Sequence, residues 1–212
     1  MLKLVKSREL EIHSFLSRIE SLDNHTIPIL YEVALGTEAV LVMPDRFILS
    51  DVATSVFENS GNNLASQFLA GVRFMHQQNV AHLDLKPDNI LITLTSLQLY
   101  ICDYDLSARV AGLESWMTGY QGTPGWTAPE ITEDPGNPYQ PIRADLWSTG
   151  CVLEYIVSHQ PTHTRLFEAL ILKLLDNNPL KRPLLSTVCL LPEEQPLLKG
   201  KPSVEKGVVE KR

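Results

Sequence analysis

The stretch HLDLKPDNILI (82–92) carries two acids, a lysine and an asparagine between an apolar helical segment and an apolar strand-like segment. Packing alone does not call for such a polar cluster at the end of an amphipathic helix. Asp84 and Asn89 are five residues apart with Lys86 between them, and Asp103 follows Asn89 after fourteen residues. A solvated turn with helix-capping acids is the purely structural interpretation. The alternative is a site that does chemistry.

The residues downstream of the cluster predict how its polar groups could meet. NILITLT (89–95) and LQLYICD (97–103) are rich in strand-forming residues around a tight turn, which predicts a hairpin. If the hairpin folds back, Asn89 and Asp103 lie opposite each other and offer two hard oxygen ligands, which suit a Mg²⁺ that keeps waters and binds substrate phosphates. Asp84 could then accept a proton from an incoming hydroxyl, while Lys86 neutralises a transferring phosphoryl group.

The remaining chain predicts a helix and a few strands followed by a mostly helical second half. Apolar spacing near 3.6 residues indicates helices, and short apolar runs bounded by turns indicate strands. A start signal at 60–63 precedes one of these helices, and residues 104–142 are too rich in glycine and proline for long elements. The predicted helices are 5–19, 64–76, 144–157 and 164–175, and the predicted strands outside the hairpin are 27–33 and 39–43.

Composition limits the class of protein. The 212 residues, 44% apolar and 20% charged, are typical of a soluble globular chain with one large domain or two small lobes. A net charge of −7 argues against a general nucleic-acid binder. Cys102, Cys151 and Cys189 form no CxxC pair, so we expect reduced thiols rather than a disulfide framework or a zinc site. Without a signal-like or membrane-spanning apolar run, we expect an intracellular protein, cytoplasmic and/or nuclear, with no membrane partner.

Several motifs resemble the eukaryotic protein kinase family. HLDLKPDNILI resembles that family's catalytic loop, usually H-R-D-L-x-x-x-N, and CDYD (102–105) stands where its magnesium-binding D-F-G belongs. The later motifs are GTPGWTAPE (122–130), with the A-P-E that closes the activation segment, ADLWSTG (144–150), similar to the central large-lobe helix, and NPLKRP (178–183), similar to the motif whose arginine pairs with the A-P-E glutamate. Because these motifs follow in the family's order, the chain is identified as a member of it.

The resemblance implies an ATP-dependent serine/threonine kinase that acts on a protein substrate and uses Mg²⁺. Asp84 would be the catalytic base, Lys86 would contact the phosphoryl group, and Thr123 would hydrogen-bond into that pair. Asn89 and Asp103 would hold Mg²⁺. The lysine at position 86 is the serine/threonine form of the loop.

The resemblance also implies residues that support the loop. Glu130 and Arg182 would form a buried ion pair bracing the substrate platform. Asp145 would tether the catalytic loop through its backbone N–H groups, although a helix N-cap is the structural alternative. His82 would hold the loop backbone.

On the nucleotide side, AVLVMP (39–44) resembles the last small-lobe strand running into the hinge. Met43 would be the gatekeeper, and the hinge would offer the Pro44 carbonyl and the Arg46 N–H to adenine. Leu91 would form the adenine floor, a role compatible with an ordinary core position.

A strand lysine and a helix glutamate usually bind and order the α/β-phosphates in this family. Lys3 and Glu9 are the best candidates, with Glu11 as the rival for the glutamate, because Ile12 and Leu16 then fall on the core side of the helix. Solvated surface charges are the alternative for both Lys3 and Glu9.

The expected fold is α+β: a protein-kinase-like two-lobed fold with a curtailed small β-lobe and a mainly helical large lobe. Residues 1–46 would form the remnant of the small lobe and hinge, 47–191 the large lobe, and 192–212 a disordered tail. We expect a monomer.

The sequence also departs from the family pattern. Only two residues precede Lys3, so no Gly-rich loop is expected to cover the phosphates. Leu83 replaces the usual arginine, which argues against an arginine–phosphate switch, and Asp105 replaces the usual glycine beside the metal site. The stretch between Leu146 and Arg182 is also shorter than is usual for the family.

These departures leave a pseudokinase that acts as an interaction module as the alternative function. A small-molecule kinase of the aminoglycoside or choline type shares the Asp-to-Asn loop, but that class has no A-P-E and no segment like GTPGW.

Overall fold

An antiparallel three-stranded sheet opens the chain in the computed structural model, which describes residues 1–134, 136–160 and 167–188. The sheet comprises β1 (Leu2–Lys6), β2 (Tyr31–Leu35) and β3 (Glu38–Val42) in the order β1-β3-β2. Helix α1 (Ser7–Ser17) follows β1 directly and contacts both β1 and β3. The tail predicted at 192–212 lies outside the described residues.

The rest of the described chain is mainly helical, with two further small sheets. Its elements are β4 (Phe47–Ile48), α2 (Thr54–Gln77), β5 (Val80–Ala81), β6 (Ile90–Ile92), β7 (Leu99–Ile101), β8 (Ala108–Arg109), α3 (Pro141–Ser158) and α4 (Glu168–Leu174). Strands β4, β6 and β7 form one sheet in the order β4-β6-β7, and β5 pairs with β8. The architecture confirms the α+β fold class.

Helix α2 forms the centre of the main core because its apolar face is completely buried. Leu64, Phe68, Val72 and Met75, the residues whose spacing predicts the helix, all lie in the core cluster that also includes residues of α3 and α4. The predicted start at 60–63 is wrong, since α2 already begins at Thr54. The misleading signal is Gly61, which is buried inside the helix.

Two predicted boundaries near the N-terminus also shift because strand pairing overrides local pattern. The helix predicted at 5–19 starts only after Lys6, since the preceding residues pair with β3. The strand predicted at 27–33 starts at Tyr31, since Ile27 instead donates its N–H to the Ile101 carbonyl at 3.0 Å.

The later predictions hold more closely. The hairpin is present as β6 and β7, and α3 extends the predicted 144–157 helix by a few residues at its start. Helix α4 lies within 164–175, of which residues 164–166 fall outside the described part of the chain. Between 104 and 140, the described residues form only β8 and an isolated bridge between Met117 and Tyr139.

A small apolar cluster joins the N-terminal sheet to the β6–β7 hairpin. Its buried members are Val5, Ile27, Ala39, Leu41, Met43, Leu91 and Cys102. This contact brings the lysine-bearing strand β1 next to the open end of the hairpin, where the polar motif residues lie.

Candidate active site

The Asp84 carboxylate is held by three side-chain donors. Thr123 donates to Asp84 Oδ1 at 2.7 Å, Lys86 Nζ donates to Oδ2 at 2.8 Å, and Asn89 Nδ2 donates to Oδ2 at 3.0 Å. Lys86 Nζ also lies 2.7 Å from Thr123 Oγ1, so the side chains of Asp84, Lys86 and Thr123 form a closed triangle. The structure therefore brings together four of the predicted site residues, one of them from the distant activation segment.

A buried carboxylate beneath the loop fixes its backbone. Asp145, fully buried on α3, accepts the N–H of His82 at 2.6 Å and that of Leu83 at 2.7 Å. His82 Nε2 lies 3.1 Å from the Cys102 carbonyl, and its Nδ1 accepts the N–H of Asp84 at 3.3 Å. Burial lowers the pKa of His82, in keeping with a neutral ring that donates from Nε2. The predicted tether and the predicted role of His82 are confirmed as contacts.

The β6–β7 hairpin brings Asn89 and Asp103 to the same end of the site. Ile90 pairs with Ile101, and Cys102 N–H donates to the Asn89 carbonyl at 3.0 Å. The amide nitrogen of Asn89 is engaged by Asp84, which leaves its oxygen as the free acceptor. Asp103 supplies a partly exposed carboxylate. Two hard oxygen donors fit a Mg²⁺ that keeps several waters, and no group of three His, Cys, Asp or Glu metal ligands occurs among the described residues.

Lys3 joins the hairpin end to helix α1. Its Nζ donates to Asp103 Oδ1 at 2.8 Å and to Glu9. Of the two candidate glutamates, Glu9 is therefore the one that contacts Lys3. Glu11 instead lies 4.0 Å from Arg109. The sequence-predicted pairing of Lys3 with a helix glutamate is present, and Asp103 joins it as a second carboxylate.

The charges of this trio follow from burial and pairing. Burial opposes the charge on Lys3, but its bonds to Asp103 and Glu9 outweigh burial and raise the pKa of Lys3. Burial likewise opposes the charge on Asp103, yet Lys3 lowers the pKa of that carboxyl. Burial dominates at Glu9 and raises its pKa. Lys3 is therefore a cation, and Asp103 is its firmly ionised partner.

A buried apolar cluster lies beside these charges. Met43 and Leu91 are both buried in the cluster that joins the sheet to the hairpin. Pro44 and Arg46 follow Met43, and the Arg46 guanidinium lies over the Tyr100 ring at 5.6 Å. Met43 and Leu91 are thus brought together, whereas no hydrogen bond or ion pair among the described residues joins Pro44 or Arg46 to the polar site.

Glu130 and Arg182 form the predicted ion pair. Arg182 is fully buried and donates to Glu130 through both terminal nitrogens, at 2.6 and 2.8 Å. It also donates to the backbone carbonyls of Arg143 and Asp176. The pair connects the end of the activation segment to α3 and to the turn after α4.

Leu83 lies in an apolar cluster rather than at a charged position. Its side chain packs among buried residues of the catalytic loop, β8, the activation segment and the start of α3: Ala81, Ala108, Ala128, Ile131, Tyr139, Ile142 and Ala144. Residues 106–117 contribute further apolar side chains to this cluster, so the activation segment packs on an apolar base.

Sequence reasoning missed a column of buried rings. His13 on α1 contacts Tyr104 at 5.0 Å between ring centroids, and Tyr104 contacts His82 at 5.3 Å. The backbone N–H of His82 in turn donates to Asp145, so the column connects α1 to α3. The available signal was helical spacing, since His13 lies one turn after Glu9 on the same face of α1.

This arrangement is a small sheet over a helical body, with an Asp–Lys–Thr triangle beside a lysine–carboxylate trio. The protein kinase domain family has a sequence model that matches residues 11–174. Since that range is most of the chain, the chain belongs to the protein kinase domain family. The matched range begins after Lys3 and Glu9, so those two residues rest on the geometry of the trio.

Individual relatives are protein kinases, two of them named as serine/threonine kinases. Serine/threonine-protein kinase dkf-2 of Caenorhabditis briggsae is 28% identical over 161 residues, covering 72% of this chain and 13% of that protein. Serine/threonine-protein kinase CHK1 of Mycosarcoma maydis is 34% identical over 155 residues, covering 70% and 22%. A calcium/calmodulin-dependent protein kinase kinase of Caenorhabditis elegans is 32% identical over 139 residues, covering 64% and 24%. The matched region spans less than a quarter of each of these relatives.

No helix within the described residues has the length and apolar character needed to cross a membrane. Cys102 and Cys151 are free thiols, and Cys189 falls outside the described residues.

Proposed function

We propose that this protein transfers the γ-phosphoryl group of ATP to a serine or threonine hydroxyl of a protein substrate, with Mg²⁺ as the metal. The observation that supports this most directly is the triangle of Asp84, Lys86 and Thr123. A carboxylate held by three donors is oriented before substrate arrives, and positioning supplies most of the catalysis in phosphoryl transfer.

In this proposal each triangle residue has one task. Asp84 accepts the proton of the substrate hydroxyl as that oxygen attacks phosphorus. Lys86 stabilises the negative charge of the transferring group. Thr123 holds Asp84 and Lys86 at a fixed separation, and it couples the loop to the activation segment that would carry the protein substrate.

The nucleotide and metal would be held on the other side of the site. Asn89 and Asp103 would hold Mg²⁺, which when bound neutralises phosphate charge. Lys3, ordered by Glu9, would contact the α/β-phosphates. Adenine would lie between Met43 and Leu91, with the Pro44 carbonyl and the Arg46 N–H at its edge; residues 1–46 would then act as the small lobe and 47–191 as the large lobe.

A phosphorylation assay on the full chain tests this proposal. Asp84→Asn removes the proton acceptor, so turnover with Mg-ATP and a generic Ser/Thr protein substrate should fall about 10²–10⁴-fold. Binding of Mg-ATP, measured by thermal shift, should persist in Asp84→Asn and be lost in Asp103→Ala. Asp88→Asn is the matched control, because Asp88 lies in the same loop but bonds only to Ser50 among the hydrogen bonds described. Equal turnover in wild type and Asp84→Asn would contradict the assignment.

A pseudokinase is the second candidate, and Asp105 is the observation that favours it. This residue adds a side chain and a charge two positions from Asp103. Its charge helps to raise the pKa of Glu9, after the larger effects of burial and Asp103, while Lys3 opposes the shift. The pseudokinase proposal predicts a folded protein with no ADP formation in wild type. ADP formation that is abolished by Asp103→Ala would rule it out.

A further inference from the structure

The outer face of the N-terminal sheet is apolar and uncovered. Cross-strand rows on this face are Leu2–Val42–Tyr31 and Leu4–Val40–Val33, followed by Lys6–Glu38–Leu35. Leu2 and Tyr31 are each 71% exposed, and Leu4, Val33 and Leu35 are each more than half exposed. Among the described residues, none of these nine belongs to a buried apolar cluster. We call these nine residues the outer sheet face.

This exposure is unusual because the opposite face of the same sheet is conventional. Val5, Ala39 and Leu41 point the other way and are fully buried against the rest of the protein. An antiparallel sheet normally presents polar residues to water on its second face. Large contiguous apolar patches on soluble chains mark interaction sites.

The area of the outer sheet face matches a weak symmetric dimer. Five side chains that are more than half exposed offer about 500 Å² of apolar surface in one copy. Two copies packed face to face would bury about 1,000 Å², which is the lower end for a specific interface. Sheets pack face to face at about 10 Å with interdigitated side chains, so a second identical apolar face is a suitable cover.

The charges on this face also suit a second copy. The only charged members of the outer sheet face, Lys6 and Glu38, are cross-strand partners at one end of it. They carry opposite signs, so a like copy meets no net charge there. A two-fold interface uses the same patch on both copies, so self-complementarity of this kind is what it requires.

We propose that the outer sheet face is the interface of a homodimer in which two copies of this chain pack sheet against sheet. This differs from the monomer expected from the sequence, which rested on no structural observation. The dimer does not depend on the proposed kinase activity. The site faces the other side of the sheet, where Lys3 bonds to Asp103 and Glu9.

Sedimentation equilibrium of the full chain in reductant tests the proposal. The mean mass should rise from monomer toward dimer over the micromolar concentration range, as expected for an interface of this size. The mean mass should not fall in 1 M salt. Salt at this concentration, with a Debye length of about 3 Å, screens attraction between charges but not the burial of apolar surface. A mass that stays monomeric to the highest soluble concentration, or a dimer that dissociates in salt, overturns the proposal.

Variants locate the interface. Val33→Thr with Leu35→Thr places strand-forming threonine at two exposed positions, so folding should persist while the dimer Kd rises at least about tenfold. Leu172→Thr is the matched control, because Leu172 is 75% exposed on α4 and lies outside the outer sheet face. Asp84→Asn should dimerise as wild type does. If Leu172→Thr weakens the dimer as much as the double variant does, or if the double variant leaves the dimer Kd unchanged, the outer sheet face is not the dimer interface.

Discussion

At the scale of single residues, two backbone conformations mark the site. Leu83 has φ 65° and Asp103 has φ 68°, a left-handed region that costs non-glycine residues free energy. Asp145 holds the N–H of Leu83, and Lys3 holds the carboxylate of Asp103. Strained residues that neighbouring groups hold in place are typical of functional sites.

Arg182 shows how one side chain can organise several segments. Its bidentate bond to Glu130 and its bonds to two backbone carbonyls use most of its donors. A lysine could not reproduce this pattern because it lacks the planar fork. The guanidinium also lies over the Trp147 ring at 5.2 Å.

Arg182→Met should lower the free energy of unfolding by about 3–5 kcal/mol, because it leaves the Glu130 carboxylate without its partner. Urea unfolding measures the change. The double variant Glu130→Met with Arg182→Met should be less destabilised than Arg182→Met alone, since no unpaired charge remains. If the double variant instead loses the sum of the two single effects, the charge pairing is not the cause.

At the scale of elements, helix α2 shows why local signals misplace boundaries. Gly61 and Gly71 both lie within α2, and each makes room for a neighbour. A Cβ at Gly61 would approach Gln160 Nε2 at 2.0 Å, whereas one at Gly71 would approach His25 Cβ at 2.8 Å and Ile101 Cδ1 at 3.0 Å. The two glycines differ in how easily the neighbour could move.

Gly71→Ala should therefore destabilise the protein by about 1–3 kcal/mol, even though alanine is the better helix former by about 1 kcal/mol. Gly61→Ala is the matched comparison and should cost less, because it displaces the flexible end of Gln160. Thermal and urea unfolding of the two variants give the order. A more stable Gly71→Ala would mean that His25 can shift without loss.

The same helix shows what the sequence can and cannot predict. Leu64, Phe68, Val72 and Met75 reveal α2 because burial imposes a 3.6-residue period on local sequence. Gly61 misleads because a glycine is needed there to make room for Gln160, a residue about one hundred positions away. At the site, the Asp84–Asn89 spacing is local and readable from the sequence. The contact of Lys3 with Asp103 depends on tertiary packing and was not predicted, since the family resemblance implied only the pairing of Lys3 with a helix glutamate. The nucleotide roles of Pro44 and Arg46 stay predictions.

At the scale of the whole molecule, the ring column connects α1 to α3 through the catalytic loop. His13 is one source of pH sensitivity in this column, because burial lowers its pKa to about 4 against the opposing bond to the Ile27 carbonyl. The unfolded chain binds a proton near pH 6.5, and the folded chain does so only near pH 4. Stability should therefore fall as pH drops through that window, at about 1.4 kcal/mol per pH unit for this group.

His13→Gln should reduce the loss of unfolding free energy between pH 6.5 and 4.5 by about 2–3 kcal/mol, since the uncharged amide cannot titrate. Urea unfolding at the two pH values measures the difference. Ser14→Ala, the adjacent position on α1, has no ionisable group and should keep the wild-type dependence. An unchanged dependence in His13→Gln would assign acid sensitivity to other groups, among them His82, whose pKa burial also lowers.

The long reach of these contacts has a consequence for biosynthesis. Lys3 pairs with Asp103, which lies one hundred positions later, and Glu130 pairs with Arg182, which lies fifty-two positions after Glu130. During translation β1 leaves the ribosome well before Asp103 has been synthesised. Until then, Lys3 and the apolar side chains of β1 lack their native contacts. The Glu130–Arg182 ion pair can form only once the residues around Arg182 have emerged, so the activation segment cannot reach its native contacts before that point of synthesis.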